Sequence, residues 1–185
     1  MLAVAAVLAG CGGSRHVEVP PAPPPSAAVP IDPAVSAPAF LLADQSGRRT
    51  GPQLDRGHWT VVTFLYTHCP DVCPLIANRL VAAQRANAGL RVVAVSVDPA
   101  RDTQAAVRRF LATHRAGPRF RFVRGTRREL APVWRSYHIA ALPGASGTVS
   151  HSALSILVDP QGRERALLDA QVTARGVLRA IAARA

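Results

Sequence analysis

Lysine is absent from this 185-residue chain, and all 22 basic residues are arginine against 11 acidic ones, a formal net charge of +11 with histidine neutral. The arginines are scattered through every segment. They form neither the block nor the stripe that nucleic-acid contacts need, so they read as the codon bias of a GC-rich genome and a nucleic-acid partner is not expected. Aromatics are scarce at 5%, but 49% of residues are hydrophobic, which supplies an aliphatic core and excludes a wholly disordered chain. Three cysteines are too few for a disulfide-stapled miniprotein. The apolar stretch Leu2 to Gly10 is far shorter than the ~20 residues needed to cross a bilayer. No internal repeat is visible, and the length suits one domain.

That short apolar stretch ends in Leu8-Ala9-Gly10-Cys11, similar to the apolar region and lipobox of a bacterial lipoprotein signal, in which the cysteine is diacylated and becomes the new amino terminus. No basic residue precedes it, so either translation starts upstream of Met1 or the lipoprotein reading fails. The alternative, an ordinary buried helix beginning at Met1, finds nothing to pack against in the residues after Gly12. Residues 12–38 are a Pro/Ala-rich tether, with Pro20, Pro21, Pro23, Pro24, Pro25, Pro30, Pro33 and Pro38 among alanines and serines, a composition that favours extended polyproline and buries no core. The expected organisation is therefore residues 1–11 as signal segment, 12–38 as tether and 39–185 as folded domain, facing away from the cytoplasm and lipid-anchored at Cys11.

Within the domain, Phe40 to Ala43 with the Ser46-Gly47 turn suggests a leading hairpin. Thr60 to Tyr66 is a nearly continuous β-branched and aromatic run, the pattern of a strand buried on both faces. A helix is expected from Pro74 to Gly89, a second buried strand over Arg91 to Val97, and a helix capped by Asp102 with Val107, Phe110 and Leu111 inside. Arg119 to Val123 alternates as a strand with its arginines outward. Thr126-Arg127-Arg128-Glu129 is a capping box, although Pro132 argues for a later start. Ala153 to Val158, the turn at Asp159-Pro160-Gln161-Gly162 and Arg163 to Leu168 form a hairpin, and Val177, Leu178 and Ile181 line a last helix. This order predicts an α/β chain with a mixed central sheet flanked by helices, that of a thioredoxin-like fold.

The chemistry concentrates at the first strand-to-helix junction, in Tyr66-Thr67-His68-Cys69-Pro70-Asp71-Val72-Cys73-Pro74. A proline after each cysteine biases both away from helical geometry and into the turn. A thiol at a helix amino terminus has its pKa lowered toward the thiolate, the form that attacks disulfides and binds metals. Both uses stay open on this ground. Cysteines four apart on one helical turn have β-carbons about 5 to 6 Å apart, against roughly 3.5 to 4.5 Å for a disulfide. A metal about 2.3 Å from each sulfur accepts the wider placement, which favours metal and leaves a reversible disulfide open in the metal-free state. His151 is the candidate third ligand, because it immediately precedes a strand, Ser152 to Val158, that a thioredoxin-like arrangement sets beside the cysteine turn. Two thiolates and an imidazole suit Cu(I), Cu(II) or Zn(II) in an open site from which the ion can leave by ligand exchange.

The segment Phe64-Leu65-Tyr66-Thr67-His68-Cys69-Pro70-Asp71-Val72-Cys73-Pro74, the strand end Val95-Ser96-Val97-Asp98-Pro99 with Asp102 following, and His151-Ser152 leading to Leu157-Val158-Asp159-Pro160-Gln161-Gly162 resemble the SCO/SenC family over nearly all of residues 39–185. The resemblance implies a membrane-tethered copper chaperone that assists assembly of the dinuclear copper site of cytochrome c oxidase, with Cys69, Cys73 and His151 as copper ligands and Asp98 in support. Its partners would be the copper-receiving oxidase subunit or another copper chaperone. The loop from Ala140 to Ser150 departs from the commoner family sequences.

Duller roles compete at each position. Cysteines at such a junction can be plain packing, and His151 alone can be a structural histidine. His68 would point away from Cys69 and decorate the surface, with His58, His114 and His138 solvated. Asp71 can cap the helix, and Asp98-Pro99 can end a strand in a turn. The competing function is a thiol-disulfide reductase that keeps a partner's copper-site cysteines reduced, with Cys69 the more exposed nucleophile. Against it, thioredoxin-type oxidoreductases place a cis-proline before the strand facing the dithiol, where this chain has His151 and no proline nearer than Pro143. A peroxidase or redox sensor is a third class, which needs peroxide-dependent oxidation of Cys69.

Overall fold

The computed structural model describes residues 28–143 and 149–185. Cys11 and the chain up to residue 27 lie outside the described residues. A six-stranded sheet carries the fold: β1 (Val29–Ser36), β10 (Arg163–Leu168), β9 (Ser155–Val158), β4 (Thr60–Leu65), β5 (Arg91–Ser96) and β6 (Phe120–Val123), side by side in that order. β4 runs parallel to β5, and β5 to β6, while β9, β10 and β1 are added antiparallel, giving a mixed sheet. The helices are α1 (Val72–Ala86), α2 (Gln104–Thr113), α3 (Arg127–Ser136) and α4 (Ala174–Ala182), with α1 packed against α4. Two small hairpins stand apart from the main sheet: β2 (Leu42–Ala43) with β3 (Arg49–Thr50), and β7 (Ala141–Pro143) with β8 (Val149–His151).

β4 explains the architecture. All six of its residues are buried, so its continuous Thr-Val-Val-Thr-Phe-Leu run is what a central strand covered on both faces requires. Even its buried hydroxyl at Thr63 is paired, accepting from Ser155 Oγ at 2.8 Å across the β4–β9 register. Phe64 packs on Tyr137 at 5.5 Å between ring centres, and Phe122 of β6 meets Phe110 of α2 edge-on at 5.9 Å.

Several expectations are corrected. Residues 29–36, assigned by composition to the tether, form edge strand β1 on β10, so the ordered unit begins before residue 39. Pro30 and Pro33 are tolerated because an outer strand leaves one row of backbone groups unpaired, and the register shifts between Pro30 and Val35. The Thr126 capping box does open α3, with Pro132 accommodated inside the helix. α2 is capped by Thr103, whose hydroxyl accepts from Ala106 N, and not by Asp102. Nor are the arginines of the β6 region simply outward: Arg121 pairs with Asp55, and Arg119 donates to the carbonyls of Gln84, Asn87 and Ala88, stapling the end of α1 to the sheet.

Candidate functional site

The junction of β4 and α1 carries both described cysteines, and no disulfide joins them. Cys69 is 8% exposed and Cys73 fully buried, so of the two only the first meets solvent. α1 begins at Val72, two residues earlier than Pro74 alone indicates, which sets Cys73 in the first helical turn and leaves Cys69 in the bend before it. Pro74 still falls where a helix has no internal use for an N–H. The expected cap from Asp71 is not made: its side chain accepts no helix N–H. The Cys69 sulfur takes that place, accepting from Cys73 N at 3.4 Å and from the backbone of Asp71.

A sulfur that replaces a capping carboxylate is held as an anion. The Cys69 thiol is brought down from 9.0 to about 5, first by a hydrogen bond from the Cys73 thiol, then by the backbone donors of Asp71 and Cys73 and the Tyr66 hydroxyl, with burial opposing. Cys73 moves the other way, pushed far up by donating to Cys69 and then by burial, with the Cys69 and Asp102 charges adding to the shift. The pair therefore shares one proton, kept on Cys73. One thiolate and one thiol thus sit together at this turn, a pair whose chemistry suits either a soft cation or a disulfide.

Tyr66 carries no role in the sequence reading, yet it links the two halves of the site. Its hydroxyl bonds the Cys69 sulfur and accepts from Val149 N at 3.5 Å, joining the cysteine turn to β8. His151 lies two residues further along that strand, its backbone paired with Ala141 of β7. The expectation that His151 directly precedes the strand of the main sheet is thus corrected: that strand begins at Ser155, and His151 belongs to the β7–β8 hairpin. A buried tyrosine whose hydroxyl must find partners, three residues before a cysteine, was the available signal.

Asp102, expected as a cap, is a brace instead. It is buried and accepts from Thr67 N at 2.9 Å, Thr67 Oγ1 at 2.8 Å and Ser96 Oγ at 2.5 Å, tying the start of the cysteine turn to the end of β5. Trp134 Nε1 donates to Ser96 O at 2.9 Å and holds the same strand end from α3. Burial raises the Asp102 pKa, opposed by the Ser96 and Thr67 hydrogen bonds. Asp98 sits beside this brace, paired with Arg101 at 2.6 Å. Asp102→Ala leaves three donors without their acceptor and is expected to lower the unfolding free energy of the reduced protein by about 1–3 kcal/mol. Asp102→Asn keeps a carbonyl oxygen for Thr67 and should lose less; equal losses in urea titrations would remove the brace.

Among the histidines expected to be solvated, His114 is not free of the protein: its ring packs on Phe110 at 4.4 Å and its Nδ1 is 2.8 Å from Asn78 Oδ1. His68 bonds Thr67 Oγ1 at 3.0 Å. No described helix is long and apolar enough to cross a membrane.

A family model described as SCO1/SenC matches residues 29–185. The mitochondrial SCO2 homolog of Bos taurus is 35% identical over 134 residues, covering 66% of this chain and 50% of its own length. The chain spans about half the length of the curated mitochondrial relatives it matches. Among solved structures, copper-bound ScoI of Bradyrhizobium japonicum is 30% identical with a TM-score of 0.66, and copper-bound ScoI of Arabidopsis thaliana 27% identical with a TM-score of 0.70. Each comparison covers 80% of this chain and 99% of the other.

Proposed function

This chain belongs to the SCO1/SenC family, and from that premise we propose that it is a copper metallochaperone, taking one copper ion as cargo on the thiolates of Cys69 and Cys73 and the imidazole of His151. The observation that carries the reading is the hydroxyl of Tyr66, bonded at once to the Cys69 sulfur and to the strand on which His151 lies. Two sulfurs from one bend and one nitrogen from a separate hairpin make a soft, three-coordinate site suited to Cu(I), with the imidazole also admitting Cu(II). A site closed by only three protein ligands lets the receiving protein enter the coordination sphere before the donor leaves it. Relatives with copper bound support copper as the cargo.

The recipient in this reading is the subunit of cytochrome c oxidase that houses the dinuclear copper site, or another copper chaperone. Diacylation at Cys11 holds the domain at the outer face of a bacterial membrane. Residues 12–27 lie outside the described residues; extended as polyproline at about 3.1 Å per residue, a segment of that length would give the domain a reach of roughly 50 Å.

Metal analysis of the full chain after copper loading and desalting tests this. One copper per chain is expected, and His151→Ala should retain less than half of it while keeping the same fold by circular dichroism. Full retention by His151→Ala would remove that residue from the site. A second reading, a thiol-disulfide reductase for a partner's copper-site cysteines, is favoured by the unequal dithiol, a thiolate at the solvent edge and a thiol fully buried, as an attacking and a resolving cysteine must be. Disulfide turnover by the copper-free protein that survives His151→Ala would favour the reductase.

A further inference from the structure

A cleft of about 340 Å³ opens beside the cysteine turn, between the start of α1 and the length of α2, lined by Thr67, His68, Pro74, Arg109, Phe110 and His114 among others. Two imidazoles therefore face one cavity, and neither belongs to the three-ligand set above. Their hydrogen bonds fix which nitrogen each presents. Thr67 Oγ1 has a single proton, and it goes to Asp102 Oδ1 at 2.8 Å, an oxygen that also accepts from Thr67 N. The same hydroxyl, 3.0 Å from His68 Nδ1, must therefore accept, which places the His68 proton on Nδ1 and leaves the lone pair on Nε2. His114 is set in the same way: Asn78 Oδ1 at 2.8 Å accepts from Nδ1, so Nε2 again carries the lone pair. The Phe110 ring, at 4.4 Å, fixes the plane of that imidazole. A ring whose Nδ1–H is anchored to an oxygen and whose Nε2 is left bare is the arrangement found in metal-bound histidine, where the outer bond sets tautomer and orientation. Burial also holds His114 below the ordinary imidazole range, keeping it neutral near pH 7.

We propose that this cleft is a second cation site, binding Cu(II) through Nε2 of His68 and Nε2 of His114, next to the dithiol but separate from it. Arg109 lines the same cavity, and its charge opposes any cation held by electrostatics alone. Copper(II), at the top of the divalent affinity series with imidazole ligands, is the cation that best overcomes that repulsion, and the two remaining equatorial positions are open to water or to an anion that Arg109 can pair. Mg(II) and Ca(II), which want oxygen ligands, are excluded. The inference does not depend on the thiolate site, and its test removes that site first.

The experiment uses the full chain carrying Cys11→Ser, Cys69→Ser, Cys73→Ser and His151→Ala, titrated with Cu(II) and read by electron paramagnetic resonance and calorimetry. One bound Cu(II) with hyperfine structure from two nitrogens is expected. Adding His68→Ala or His114→Ala should weaken binding tenfold or more, whereas His58→Ala and His16→Ala should leave it unchanged. Asn78→Ala, which frees the His114 Nδ1, should weaken binding, and Asn78→Asp, which keeps an acceptor, should not. If that background fails to fold, the chain alkylated at all three cysteines is titrated in its place. Binding indifferent to both His68→Ala and His114→Ala would overturn the proposal, as would the absence of binding at 100-fold excess Cu(II). Because no thiolate is present, such a failure leaves the dithiol reading untouched.

Discussion

Replacing Cys73 with serine is expected to lower copper affinity by more than about 100-fold, the larger side of what losing an outer-shell partner alone costs. The substitution removes one of the proposed ligand sulfurs and also the thiol that holds Cys69 down to about 5, because the Cys73 hydrogen bond is the foremost cause of that depression. A serine hydroxyl is nearly isosteric, so the fully buried position keeps its packing and the loss can be read as chemistry. Cys69→Ser should lose as much by a different route, taking away both a proposed ligand and the sulfur that caps α1. Competition titrations with a Cu(I) chelator measure both. Losses of less than tenfold in either variant would mean that the copper is held elsewhere.

The second large effect is selective alkylation. With one thiolate formed near pH 5 and the other kept protonated, iodoacetamide should label Cys69 at least 100-fold faster than Cys73 at pH 6.5, and its rate, normalised to the plateau, should be half-maximal near pH 5. Tyr66→Phe removes one donor from the sulfur and should move that midpoint upward. The stability of the reduced protein carries the same signature. A group whose folded pKa is depressed stabilises fully above its unfolded value, here 9.0, and loses that contribution as pH falls toward about 5, so unfolding free energy should rise with pH across that window as far as Cys69 governs it. A labelling rate that still climbs about tenfold per pH unit between pH 6 and 8, as an unshifted thiol's does, read by mass spectrometry, would contradict the assignment.

Local signals carried much of this molecule. The β-branched run at β4, the capping box at Thr126 and the turn chemistry at Asp159 to Gly162 each act over a few residues, and the structure forms each where the sequence places it. The cysteine turn was legible for the same reason. What was hidden depends on partners far along the chain. Asp102 looks like a cap because an acid before a helix usually is one, but its acceptors are spent on Thr67, 35 residues earlier, which no spacing rule discloses. Proline-rich composition described residues 29–36 correctly as unable to form a core, and missed that an edge strand needs none, only the free backbone of β10. The place of His151 turned on whether the chain before β9 joins the main sheet or folds back on β7, a choice made by tertiary pairing at Ala141. Tyr66 reads as one more apolar residue of a strand, because hydrophobic patterning counts its ring and ignores its hydroxyl.

X-ray absorption at the copper edge of the one-to-one complex addresses the central claim most directly. Two sulfur scatterers at about 2.2–2.3 Å and one imidazole nitrogen at about 2.0 Å, the nitrogen shell disappearing in His151→Ala and unchanged in His68→Ala, are the result this account predicts. A copper surrounded by nitrogen and oxygen alone, or a sulfur-only shell identical in the wild type and His151→Ala, would contradict it.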